Sequence, residues 1–251
     1  MADGIHRGGR VALFDMDGTL SLPRQKCDKS MISYLGELRK ISLIGIVSGS
    51  DLDKIHEQLG VNAFEIFDYV FSENGVQGWY MGEPICSESI ALELGEENLK
   101  KIINFCLHYI ADLDIPIKRG TFIEYRKGML NISPIGRNCS QEERINFFEY
   151  DKIHRIRESM VKQLDERFGN SMNLQFSIGG QISIDCFIKG WDKRFCLQNF
   201  DSKKIEIHFF GDRTSPGGND YEIFQDQRTI GHTVTGPEDT IKKCREIFHS
   251  S

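Results

Sequence analysis

From Arg10 to about Gly82, short apolar runs alternate with segments whose apolar residues recur every three or four positions. RVALF, SLIGIV and DYVFS read as strands. Between them, Met31, Leu35 and Leu38 share one face of a helix opening near Asp28, and Leu52, Ile55 and Leu59 share one face of a second. Buried strands alternating with amphipathic helices predict right-handed βαβ units and a mainly parallel sheet. Such sheets bind ligands beyond the carboxyl ends of their strands. Between about Cys86 and Ile188 the rhythm changes. A helix over about 96–111 precedes closely spaced strands at PIKRG, TFIEYR and MLNIS, then helical stretches over 141–168 and strands at LQFSI and ISIDCF. The last two read as a hairpin about Ile178-Gly179-Gly180-Gln181, because paired glycines support the positive φ of tight turns. The βα alternation then returns, with a helix opening at Trp191, strands EIHFF and RTIGHTV, and a final helix over 238–248. The expected fold class is α/β, a Rossmann-like core over 1–85 and 189–251 interrupted by an inserted α+β cap domain over 86–188.

Composition narrows the partners. The 251 residues carry a net charge of −6, so there is no general basic field, and neither nucleic acid nor membrane is expected as a partner. Any anion site must be a local cluster. Seven cysteines lie singly, without a C-x-x-C pair or a metal-ligand spacing, and read as small core residues in a reducing compartment. The segment MADGIHRGGR has no apolar stretch and no run approaches the ~20 residues of a membrane span, so a cytoplasmic location is expected.

The chemistry concentrates where strands end. In VALFDMDGTL a buried strand closes on Asp15 and Asp17, and in extended backbone positions i and i+2 face the same way. Adjacent carboxylates repel, and a divalent cation relieves them. A second acidic loop, GDRTSPGGND, puts Asp212 directly after a strand and Asp220 eight residues on, across a glycine-rich stretch. Strand-end carboxylates of this kind suit magnesium. SGSD after LIGIV supplies Ser48 and a helix start able to receive an anion. GWDKR supplies Lys193, a point charge for phosphate or carboxylate. In the inserted block, Arg126 ends a strand, Arg137 follows a Pro-Ile-Gly turn and Arg144 lies early in a helix capped by Ser140. Three guanidinium forks from different elements could converge on one non-transferred phosphate. Ser183 and Asp185 stand two apart in QISID, on one strand face suited to sugar hydroxyls.

D-x-D-G-T, a strand-end serine, a lysine and the G-D…N-D loop, in that order, resemble the haloacid dehalogenase-like superfamily of phosphotransferases. The resemblance implies that Asp15 is a carboxylate nucleophile forming an aspartyl-phosphate, with Asp17 as general acid/base. Mg2+ would be held by Asp15, the Asp17 carbonyl and Asp212. FIEYRKGMLNISPIGRNCSQEER, GGQISIDCFIKGWDKR and FFGDRTSPGGNDYEIFQDQRTIGHTV are similar to the eukaryotic-type phosphomannomutase family over essentially the whole chain. That resemblance implies sugar-phosphate binding by Arg24, Arg126, Arg137, Arg144, Ser183 and Asp185. It also implies a second metal position at Phe224, Asp226 and Thr229. The implied reaction interconverts mannose 6-phosphate and mannose 1-phosphate, with a hexose 1,6-bisphosphate (mannose or glucose) as activator, and feeds GDP-mannose synthesis. The inserted domain would act as a lid, and a homodimer through the cap is implied as well. Two rivals remain: a magnesium-dependent sugar-phosphate phosphatase on the same fold, and a non-catalytic sugar-phosphate sensor.

Overall fold

The computed structural model describes residues 9–23, 25–201 and 203–249. The chain divides into two compact units, Met1–Ser87 with Gly190–Ser251, and Glu88–Lys189. In chain order the first part of the outer unit comprises β1 (Arg10–Phe14), α1 (Lys29–Leu38), β2 (Leu43–Val47), α2 (Leu52–Leu59), α3 (Ala63–Ile66), β3 (Tyr69–Ser72), β4 (Gln77–Tyr80) and β5 (Glu83–Ser87). The inserted unit holds α4 (Ile90–Leu94), α5 (Glu96–Asp112), β6 (Ile123–Tyr125), β7 (Leu130–Ile132), α6 (Gln141–His154), α7 (Ile156–Leu164), β8 (Leu174–Gly179) and β9 (Ser183–Ile188). The chain then returns through β10 (Glu206–Gly211), α8 (Tyr221–Phe224), β11 (Thr229–Thr233) and α9 (Pro237–Phe248).

The core sheet runs β11-β10-β1-β2-β3-β4-β5. Its first five strands are parallel, and β4 and β5 extend the β3 edge as an antiparallel hairpin. Because the strand period is two, each strand feeds both faces. Ala12 and Phe14 pack with Met31, Leu35, Ile55 and Phe210 on one side. Val11 and Leu13 pack with Phe71, Cys196, Leu197 and Phe209 on the other. Register explains the shared sides, since Leu13 pairs with Phe209 and Phe14 with Phe210. Each fully buried side chain of this size contributes roughly 1.5–3 kcal/mol, so the strand ends that carry the acidic residues are firmly held.

Helix α1 follows from its sequence: Asp28 caps it by accepting from the Ser30 amide at 2.8 Å, and Met31, Leu35 and Leu38 are buried on one stripe. The inserted unit is an antiparallel sheet, β6-β7-β9-β8, with β8 and β9 forming a hairpin closed by Gly180 at φ +50°. One expectation fails. PIKRG is not a strand: Pro116 has no amide to donate, and Arg119 makes one isolated bond to the Ile135 carbonyl. The helix expected to open at Trp191 is present as a 3-10 helix over Lys193–Asn199, capped by the Asp192 side chain. All seven cysteines are free. Among the described residues no helix is long and apolar enough to cross a membrane.

Candidate active site

In the core unit, β1 delivers Asp15 directly after Phe14, and its amide donates to the Phe210 carbonyl of β10 at 2.9 Å. Asp212 follows the end of β10, and the loop beyond it folds back so that Asp220 accepts from the Arg213 amide at 3.1 Å. Oxygens of Asp15, Asp212 and Asp220 lie within 4.8 Å of one another. Gly18 makes the approach possible. It sits at φ +80°, and a Cβ there would collide with the Asp212 carboxylate. The Lys193 ammonium, 1% exposed, enters from the 3-10 helix and donates to Asp15 Oδ1 and, at 2.6 Å, to Asp220 Oδ1.

Three acidic groups and one cation share this space, and their proton affinities follow. Burial pushes the Asp15 carboxyl up to about 7, with Asp220 adding to the rise and Lys193 opposing it. Asp212 is raised as well, by burial and by the Asp220 charge. For Lys193, burial disfavours the ammonium, but the Asp15 and Asp220 carboxylates outweigh it and hold its pKa above the ordinary value. Asp212 Oδ1 is buried without a hydrogen-bond partner. Such an orphaned oxygen costs ~1–3 kcal/mol unless something coordinates it. Three carboxylates of this hardness, one with an unspent oxygen, fit a hard divalent cation.

The other core residues singled out in the sequence are placed differently. Asp17 stands outside the three-carboxylate cluster, and Asp220, noted in the sequence without a role, completes it. Asp17 Oδ1 accepts from Gln58 Nε2 of α2 at 2.7 Å, and the same amide reaches Ser21 Oγ at 3.0 Å. A cleft of about 330 Å³ opens beside Asp17, lined also by Ser50, Lys54 and Gln58. Ser48 Oγ accepts from the Ser50 amide at 3.1 Å, and the start of α2 is capped by its own Asp51. Phe224 ends α8. Asp226 is gripped by Arg228 through both oxygens at 2.8 Å, and the Thr229 hydroxyl donates to the carbonyls of Ile223 and Asp226. Arg24 lies outside the described residues.

A second assembly is built on the β6-β7-β9 face of the inserted unit. Glu124 Oε2 receives both Arg126 Nη2 at 3.0 Å and Arg137 Nε at 2.7 Å. Arg137 also donates to Asn131 Oδ1, and Asn131 Nδ2 donates to Asp185 Oδ1 at 2.6 Å. The register that sets Asn131 opposite Asp185 makes this bridge. Burial raises the Asp185 carboxyl, while the Asn131 bond and the charges of Arg126 and Arg137 pull it down. Gly179 is required here too, because a Cβ would meet Asp185 Oδ2. Ser183 heads β9, buried. Arg144 rises from the first turns of α6, whose start carries the full Ser140–Glu143 capping box. Among the described residues no hydrogen bond or ion pair occupies its side chain. Glu124 and Asn131 carry no motif of their own. The only hint in the sequence is that Glu124 precedes Arg126 by two on one strand.

The sequence model of the eukaryotic phosphomannomutase family matches residues 31–250. The chain belongs to that family. It is 59% identical over 242 residues to a phosphomannomutase of Glycine max, covering 96% of this chain and 97% of that one. It is 58% identical to the Arabidopsis thaliana phosphomannomutase, covering 96% and 98%. It is 56% identical over 250 residues to that of Triticum aestivum, covering all of both. Among solved structures it resembles a haloacid dehalogenase-like hydrolase from Bacteroides thetaiotaomicron, with TM-score 0.62, 13% identity and 96% and 100% of the chains covered. It also resembles an Aspergillus fumigatus trehalose-6-phosphate phosphatase, with TM-score 0.57, 17% identity and coverage of 97% and 93%. At those identities the likeness concerns the fold, which is the mainly parallel α/β architecture seen here.

Proposed function

We propose that the protein is a phosphomannomutase that interconverts D-mannose 6-phosphate and α-D-mannose 1-phosphate. The observation that favours a mutase over a phosphatase is the inserted unit's linked set of Arg126, Glu124, Arg137, Asn131 and Asp185, with Arg144 and Ser183. Water needs no such grip. A sugar bisphosphate does, because one of its phosphates must be held while the other is transferred.

In this reading a carboxylate oxygen of Asp15 attacks the phosphoryl group, forming the aspartyl-phosphate as the sugar P–O bond breaks. Asp17 gives its proton to the departing alkoxide and regains one from the sugar hydroxyl that attacks in the second half. Gln58 donates to Asp17 Oδ1 and so orients the carboxyl. Lys193 offsets the charge of an anion meeting an anion. Mg2+, held by Asp15 and Asp212 with Asp220 close by and by the Asp17 carbonyl, would neutralise the developing phosphoryl charge. Phe224, Asp226 and Thr229 would supply the second metal position in the same reading, once Asp226 was released from Arg228. Arg24, Arg126, Arg137, Arg144, Ser183 and Asp185 bind the sugar phosphate, and the inserted unit acts as a cap that excludes water. Mannose or glucose 1,6-bisphosphate primes the enzyme. The remaining features of the reading are a cytoplasmic homodimer joined through the cap and a role in supplying GDP-mannose synthesis.

The test follows isomerisation and phosphate release together, with mannose 1-phosphate, Mg2+ and a hexose 1,6-bisphosphate. Isomerisation far ahead of release is expected. Release in excess would establish the phosphatase.

A further inference from the structure

Arg157 opens the first turn of α7 with only 3% exposure, and none of the chemistry above uses it. Its backbone amide donates to Asp151 Oδ1 at 2.8 Å and its Nε to Asp151 Oδ2 at 2.7 Å, tying it to the last turn of α6. The free end of the guanidinium then turns to the β8–β9 hairpin. Nη1 faces three carbonyls, those of Gly179 at 3.3 Å, Gly180 at 3.0 Å and Ser183 at 3.2 Å. One side chain thus joins the helix that carries Arg144 to the strand that carries Ser183 and Asp185.

A buried ion pair is a poor way to gain stability, since well-packed apolar residues of equal volume often do as well or better. Its other attested use is to specify geometry, and this hairpin needs specifying. Glycine-containing strands are weakly fixed in register, and a one-residue slip would carry Ser183 and Asp185 to the opposite face. Gly179 cannot be replaced by a stiffer residue, because Asp185 occupies the space a Cβ would take. Carbonyl anchoring by a guanidinium supplies the missing constraint from outside the hairpin. Only arginine has a planar fork able to meet a carboxylate on one edge and carbonyls on the other.

We propose that Arg157, clamped by Asp151, is a positioning residue for the sugar-phosphate site, setting the hairpin that presents Ser183 and Asp185. The proposal rests on the reading that those two residues touch the substrate, and an unchanged KM in Asp185→Asn would sink that reading rather than the proposal. Arg157→Met, Arg157→Lys and Asp151→Asn are compared with the unaltered enzyme for thermal unfolding, kcat and KM with mannose 1-phosphate. Covalent labelling of Asp15 by radioactive acetyl phosphate, a donor without a sugar, is followed in parallel. The expected result is a rise in KM of about tenfold in folded Arg157→Met and somewhat less in Arg157→Lys, with labelling at the unaltered rate. A purely structural role would instead lower the unfolding temperature and the active fraction and leave KM where it was. A folded arginine variant with unchanged KM overturns the proposal. So does failure of both arginine variants to fold together with unchanged KM in Asp151→Asn. Absence of label in the unaltered enzyme would count against the Asp15 reading alone.

Discussion

The two assemblies of charged residues are made in opposite ways. In the core, Asp15 and Asp212 are fixed by the ends of neighbouring parallel strands, and the cation between the acids is fully buried. In the inserted unit, the arginines are held by one another's partners: Glu124 is shared by Arg126 and Arg137, and Asn131 ties Arg137 to Asp185. The first arrangement holds position through backbone and tolerates almost no change, which suits bond making. The second holds position through long side chains with a quarter to a third of their surface open, at 24% and 30% for Arg126 and Arg137. That suits gripping a phosphate and letting it go.

The contrast can be broken most severely at Asp15. Asp15→Asn should fold, since it is isosteric, and lose about 10⁴-fold or more in kcat by coupled assay. Survival of turnover would remove the distinction between a chemical and a gripping assembly. Next, Lys193→Met should leave Asp15 and Asp220 unopposed in the interior, lowering stability by roughly 3–5 kcal/mol in denaturant unfolding. An effect below about 1 kcal/mol would mean the core acids are better solvated than their burial indicates. Asn131→Ala should raise KM about tenfold, or ~1.4 kcal/mol, with kcat little changed and acetyl phosphate labelling intact. A fall in labelling would show that the gripping assembly also governs the chemistry.

The smallest effect concerns pH. Burial, with the nearby His208 and Lys243 charges, pushes the His232 pKa down to about 4 from 6.5. The unfolded chain therefore binds the proton more readily between those values, so His232 contributes stability that is complete above pH 6.5 and lost as pH falls toward 4. The ring is only about half-buried, so the contribution is discounted to about 1 kcal/mol. It should appear as a difference between the unaltered protein and His232→Asn in urea midpoints measured at pH 7 and pH 5. An equal difference at both pH values would refute it. Asp185 in the inserted unit has the opposite sign, since its raised pKa makes the folded form the better proton acceptor.

What could be read from the sequence was whatever the chain states locally. Apolar runs ending in Asp15 and Asp212 carried their own signal, because a buried parallel strand and the turn after it are contiguous. The helix start near Asp28 and the Ser140 cap were equally plain. Long-range pairings were not readable. Gln58 meets Asp17 across 41 positions and Asn131 meets Asp185 across 54, and no spacing rule connects them. Asp220 was visible as an acidic residue, but its convergence with Asp15 and Lys193 depends on how the glycine-rich loop folds back. The false strand at PIKRG shows the converse: it sits beside real strands in sequence, yet its backbone amides find no ladder to join.

Lys193 stands only three positions beyond Gly190, where the chain re-enters the core. Anyone splicing a foreign domain in place of the inserted unit therefore has almost no slack at the downstream seam. A junction displaced by a residue or two would rotate the ammonium off the aspartates it contacts, so chimeras should tolerate very little change just after Lys189.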